Sequence, residues 1–221
     1  MGEHLFIAQR FNEAAGYLDR GERREHLPDQ LICDVAHDYA TIKLDDSAKL
    51  TTGQMVELLR RIEDFDGFEA MIVITDQRNR PDPRDRAAII EEYLRSLNPE
   101  WKDGWFEYDF EESRLRAGGK GLKRLSGLQS VLAGLQPRHL DLSGSEVSNL
   151  RKEAGYGIES LDIRGCNIDS QSSLQKFIHL RELTICPGQR DSKNRLLKKI
   201  NLKRATLIER ELDPEPTEAG R

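Results

Sequence analysis

Cysteine is scarce: the 221 residues hold three, Cys33, Cys166 and Cys186, too few and too scattered for a disulfide framework. That usage points to a reducing compartment, and a cytoplasmic location is the expectation. Aromatic residues make up only 6% of the chain, so aliphatic side chains must supply the core. No apolar run comes near the ~18 residues of a membrane-crossing helix, and the mean hydropathy is −0.66; no membrane association is expected. Residues 1–16 show no basic stretch followed by a long apolar one, so a secretory leader is not expected either. An excess of positive charge is also missing. Lys and Arg number 34 against 39 Asp and Glu, a net −5, which argues against wholesale binding to nucleic acid or to anionic membranes. What is present is 37% apolar and 33% charged residues, a lean globular composition for one large domain or two small ones.

The residue sets that carry catalysis are missing too. The five histidines, His4, His26, His37, His139 and His179, stand in unrelated contexts, and no Ser/His/Asp or Cys/His set can be assembled. Cys33 and His37 are one helical turn apart with Asp34 and Asp38 beside them, but two ligands are not the four of a structural zinc site; Cys33 is expected in the core. His139 and Cys186 belong to different copies of a repeat in the second half of the chain and lack a third, orienting residue. The apolar run 68–76, ending in Asp76, brings to mind the acidic strand end that helps hold magnesium in nucleotide hydrolases. It has no glycine loop upstream, and Gly118-Gly119-Lys120-Gly121 lies downstream with the wrong spacing for a phosphate loop. The expectation is a protein that is not an enzyme and holds no cofactor and no metal.

Residues 1–97 read as a mainly helical region. Leu5, Ala8, Phe11, Ala15 and Leu18 recur at helical steps up to Gly21. Pro28 suits a first turn ahead of Leu31, Ile32, Val35, Ala36 and Tyr39. Thr51 or Thr52 can cap a helix carrying Met55, Leu58, Leu59 and Ile62. A further helix after Pro83 aligns Ala87, Ile90, Tyr93, Leu94 and Leu97, and Asn98-Pro99 stops it. Run 68–76 fits a buried strand or a short helix, since periodicity does not separate the two at that length.

Residues 98–117 form an aromatic-rich junction. Phe106, Tyr108 and Phe110 alternate with charged residues as in a half-buried strand, and Arg114-Leu115-Arg116-Ala117 reads as its hairpin partner, plugging the open end of the C-terminal half. A base-stacking platform is contradicted by Asp103, Glu107, Asp109, Glu111 and Glu112, which repel phosphate.

The second half repeats itself. Leu140-Asp-Leu142-Ser-Gly-Ser145-Glu-Val147 aligns with Leu161-Asp-Ile163-Arg-Gly-Cys166-Asn-Ile168, and Leu183-Thr-Ile185-Cys-Pro-Gly188 begins a third copy. Pro137, Ile158 and Leu180 stand three positions ahead of each first leucine. A degenerate earlier turn runs through Leu115, Leu122, Leu125, Leu128 and Leu132, and residues 200–208 supply a closing edge strand. With its 21- and 22-residue steps and the pattern L-x-x-L-x-L-x-x-N/C-x-L, residues 111–208 resemble a leucine-rich repeat protein of the short, degenerate bacterial type. The resemblance implies an α/β fold: a helical N-terminal region followed by a short solenoid with parallel strands. It divides the chain into residues 1–97, the junction and capping hairpin 98–117, the solenoid 118–208 and an acidic, disordered tail 209–221.

In such a repeat the L-x-L pair is a short strand with both aliphatics inward. Ser145, Cys166 and Gly188 take the asparagine-like position that turns the chain out of the strand, while Leu150, Leu174 and Phe177 bury the return segment. A single copy buries too little apolar surface to offset the entropy of ordering it, so copies must stack. The concave face then displays Arg138, His139, Asp141 and Ser143; Glu159, Ser160, Asp162 and Arg164; and Arg181, Glu182, Thr184 and Cys186. This mixed polar surface suits another protein or a peptide, and the expected role is a non-enzymatic, scaffold or regulatory interaction module. The alternative is a nucleic-acid-associated protein using the basic segment 190–204, with Arg190, Lys193, Arg195, Lys198, Lys199, Lys203 and Arg204 against Asp191 alone; its ordinary counterpart is a solvated capping helix.

Overall fold

The computed structural model describes residues 1–19, 27–42, 49–63, 68–76, 80–125, 134–148, 150, 157–168, 174, 177–190 and 205–212. The chain forms two compact units, residues 1–93 with 129–134, and residues 94–128 with 135–221.

The first unit is helical. The single amphipathic helix expected at the start is two, α1 (Gly2–Ile7) and α2 (Phe11–Leu18). Gln9 breaks it with a φ of 58°, in the left-handed region that an L-residue enters only with support. That support is tertiary: the Gln9 side chain is fully buried and its Nε2 donates to Asp76 Oδ1 at 2.9 Å. The break changes which residues face inward, and Phe6, Ile7, Phe11, Ala14 and Ala15 are buried while Leu5, Ala8 and Leu18 are not. Phe11 then meets Phe6 edge-on at 5.4 Å and Tyr39 at 5.2 Å between ring centroids.

Helix α3 (Leu27–Ala40) has Pro28 in its first turn, where a missing N–H costs nothing, and buries Ile32, Val35, Ala36 and Tyr39. Helix α4 (Thr52–Arg61) starts on a capping box: Thr51 Oγ1 accepts from the Gln54 N–H, and Gln54 Oε1 accepts from the Thr51 N–H. Met55, Leu58, Leu59 and Ile62 are buried as their spacing requires.

The ambiguous run is a helix, α5 (Phe68–Asp76). It buries Ile72 and Val73 and leaves Met71 and Ile74 exposed. Its last residue, Asp76, forms a buried ion pair with Arg80, whose guanidinium also donates to the Leu50 carbonyl. Helix α6 (Pro83–Leu97) begins at a proline and buries Ile89, Ile90, Tyr93, Leu94 and Leu97.

The second unit holds a six-stranded, mostly parallel sheet, so the chain is of the α/β class. Strands β1 (Trp105–Asp109) and β2 (Arg114–Gly118) form the antiparallel hairpin. Phe110 lies beyond β1, in the turn. Then β3 (His139–Asp141), β4 (Ser160–Asp162), β5 (Glu182–Ile185) and β6 (Thr206–Glu209) add in parallel, in chain order. One register line runs through the parallel strands: Leu115, Leu140, Leu161, Leu183 and Leu207. The three L-x-L or L-x-I stretches thus lie side by side. Leu140, Leu142, Leu161, Ile163, Leu183 and Ile185 are all buried, as are Leu150, Leu174 and Phe177 of the return segments.

On the hairpin side, Trp101 is buried with its Nε1 donating to the Gly118 carbonyl at 2.7 Å, under the Arg95 guanidinium at 4.6 Å. Asn98 Oδ1 accepts from the N–H groups of Lys123 and Arg124, and Nδ2 donates to the Leu94 and Arg124 carbonyls. Leu128, Leu132, residues 191–204 of the basic segment and residues 213–221 of the tail lie outside the described residues.

Candidate docking surface

Because side chains alternate along a strand, the residues between and beside the buried leucines share the opposite face of the sheet. The register lines up Arg116, Asp141, Asp162 and Thr184 in one row, and Arg114, His139, Ser160 and Glu182 in the next. At ~4.8 Å per strand the five parallel strands span about 19 Å. His139, Asp141, Ser160, Asp162 and Thr184 are half-buried, and Arg138, Arg181 and Glu182 are exposed. Half-buried Glu159 sits between two arginines, 3.8 Å from Arg138 and 3.6 Å from Arg181.

Two of the nominated residues are not displayed. Ser143 and Arg164 are 8% and 7% exposed, because the chain has already turned downward at these positions. The Arg164 guanidinium lies back along Asp162 and donates to the Glu211 carbonyl at 2.7 Å.

Asp141 and Asp162 prove to be turn-makers. Asp141 Oδ1 accepts from the Ser143 N–H at 2.9 Å and Asp162 Oδ1 from the Arg164 N–H at 3.0 Å, the local bond by which an aspartate closes a turn two residues on. The next glycine in each copy, Gly144 and Gly165, takes a φ of 69° and 76° respectively, the left-handed conformation that glycine adopts without strain. The Ser145 and Cys166 N–H groups then reach back to the Leu142 and Ile163 carbonyls, each at 3.1 Å. The L-D-[LI]-x-G string is therefore a strand exit written in side chains, a signal present in both copies of the sequence.

Inside the turn, Cys166 lies 3.3 Å from Ser145 Oγ and 3.1 Å from the Leu142 carbonyl, so two copies meet through their equivalent side chains. Burial pushes the Cys166 thiol up to about 11. The third copy solves the problem differently. Gly188 is exposed within a 3₁₀ turn, Pro187–Arg190, and Gln189 takes up the work expected of position 188. Its Oε1 accepts from the Cys186 N–H at 2.6 Å, and its Nε2 donates to the carbonyls of Ile163 and Cys166 at 3.0 and 2.8 Å. A Gln one position late is not visible in a pattern aligned on leucines.

In the helical unit, Cys33 is half-buried rather than part of the core: Ile32, Val35 and Ala36 take the inward stripe and leave Cys33 to one side. Its thiol donates to Asp19 Oδ1 at 3.7 Å, and His37 Nε2 lies 2.9 Å from the same oxygen. The imidazole holds the Asp19 carboxyl below its ordinary value, and partial burial with the Asp19 charge raises the thiol. Among the described residues no helix is long and apolar enough to cross a membrane. Comparison of the chain with family models, with curated proteins and with solved structures gave no match.

Proposed function

We propose that the polar face of the sheet docks a segment of another protein, and that the chain is a non-enzymatic interaction module built like a short leucine-rich repeat solenoid. The supporting observation is the unbroken register from Leu115 to Leu207, which sets equivalent polar positions of successive strands in rows about 14–19 Å long. That length suits an extended peptide or one edge of a helix. The exposed guanidinium groups of Arg138 and Arg181 favour a segment with carboxylates beside them, while His139, Ser160 and Thr184 offer hydrogen bonds across the centre.

Asp141 and Asp162 are poor probes of such docking, since replacing either opens a strand exit. Arg138→Glu with Arg181→Glu tests it, because both side chains are exposed and their pairs with Glu159 are long. Tagged full-length chain and the double variant are used to capture proteins from native lysate, with Lys102→Glu as a control, and the captured sets are compared by mass spectrometry. A partner held by the unmodified chain and the control, and lost by the folded double variant, is the expected result. Identical sets for all three, with circular dichroism unchanged, would overturn the assignment.

A further inference from the structure

The α2 end and one face of α3 bring together three side chains of different metal-binding chemistry. Cys33 and His37 are one turn apart on α3 and so project from the same side of the helix. Asp19, the residue just after α2, reaches them across 14 and 18 positions of sequence. One thiol sulfur, one imidazole nitrogen and one carboxylate oxygen all lie within 4.8 Å of one another.

We propose that Asp19, Cys33 and His37 form a zinc site that clips the end of α2 to α3. Zinc bonds of about 2.3 Å to sulfur and 2.0–2.2 Å to nitrogen and oxygen put tetrahedral ligand atoms about 3.4–3.6 Å apart. The sulfur-to-oxygen separation is 3.7 Å and the nitrogen-to-oxygen separation 2.9 Å, so the His37–Asp19 contact opens by about 0.5 Å to admit the ion, while the sulfur and the imidazole nitrogen, within 4.8 Å of each other, settle into the same range. A thiolate, an imidazole and a carboxylate together favour zinc over magnesium or calcium, which take oxygen donors. His37 and Asp19 are about half exposed, at 49% and 54%, so the ion has a direct route in and water fills the fourth position. Asp34 adds negative charge beside Cys33, whereas Asp38 is engaged by Arg61 at 2.8 Å.

Cobalt(II) added to chelator-treated full-length chain tests this, since a cobalt–thiolate bond gives a near-ultraviolet charge-transfer band and tetrahedral cobalt gives intense visible bands. Both bands are expected at one cobalt per chain, displaced by zinc, with zinc also raising the melting temperature. Cys33→Ser abolishes the charge-transfer band, Asp19→Asn and His37→Gln weaken binding at least tenfold, and Cys186→Ser changes nothing. Absence of a charge-transfer band in the unmodified chain, or a band that survives Cys33→Ser, overturns the site. Should Cys33→Ser not fold, a one-to-one, zinc-displaceable band in the unmodified chain that persists in Cys186→Ser and weakens in Asp19→Asn supports it; a band that Asp19→Asn leaves untouched overturns it.

Discussion

Cys166 ties chemistry to pH. Its thiol, ordinarily near 9.0, is pushed up to about 11 by burial between copies of the repeat. The folded chain therefore keeps a proton that the unfolded chain gives up between those two values. The contribution is complete below about pH 9 and shrinks as the pH rises toward 11. Both tryptophans, Trp101 and Trp105, lie in the sheet-bearing unit, so their fluorescence during urea unfolding reads that unit alone. Cys166→Ala is expected to flatten the alkaline decline relative to the unmodified chain; parallel declines in both would contradict the burial of the thiol. At Gly165, a φ of 76° and a Leu212 methyl 3.3 Å from an added Cβ predict that Gly165→Ala costs about 1–2 kcal/mol in the same measurement. Gly188→Ala, which meets nothing within 4 Å, leaves it within about 0.5 kcal/mol.

At the scale of elements, what could be read from sequence depended on how local the deciding force was. Helix α4 was legible because its start signal is its own: Thr51 and Gln54 cap its N-terminus, and the stripe from Met55 to Ile62 is one-sided. Thr51→Ala is expected to cost about 1 kcal/mol, seen as faster amide exchange in α4. The strands were legible for a similar reason, since the L-x-L period repeats. Helix α5 was not, because Met71 and Ile74 stay exposed and the run has no polar side to betray its period. The break at Gln9 was invisible because its cause, Asp76, lies 67 residues away, and Asp19 was missed as a neighbour of Cys33 and His37 on the same grounds. The Asp76–Arg80 pair, both side chains 5% exposed, makes a sharper test. Arg80→Leu strands a buried carboxylate and is expected to cost about 3–5 kcal/mol by thermal or urea unfolding monitored by circular dichroism. Adding Asp76→Asn removes that charge while leaving Gln9 an acceptor, so the double variant should be more stable than the single one. If it is less stable, Asp76 is not stranded once Arg80 is gone.

Across the sheet-bearing unit, β6 closes the far side through backbone bonds from Thr206 to the Arg181 carbonyl and from Arg210 to the Ile185 carbonyl, and Glu211 accepts from Arg164. Truncation after residue 204 would uncover β5 and release Arg164 from its carbonyl partner. Binding of a hydrophobic dye and a lowered, broadened tryptophan transition are the expected outcome. The apolar residues of 200–208 point to a closing strand; it runs Thr206–Glu209, one residue past that end, because its bounds are set by hydrogen bonds to β5 that no local pattern encodes.

Since every parallel strand pairs only with those directly beside it, the row is modular in a literal sense. Splicing a second copy of residues 140–160 ahead of Leu161 would insert one more strand, together with its aspartate-closed exit, and leave the pairings on either flank as they were. The protein would lengthen by one step of about 4.8 Å, making this chain a starting point for a family of rulers graded in strand widths.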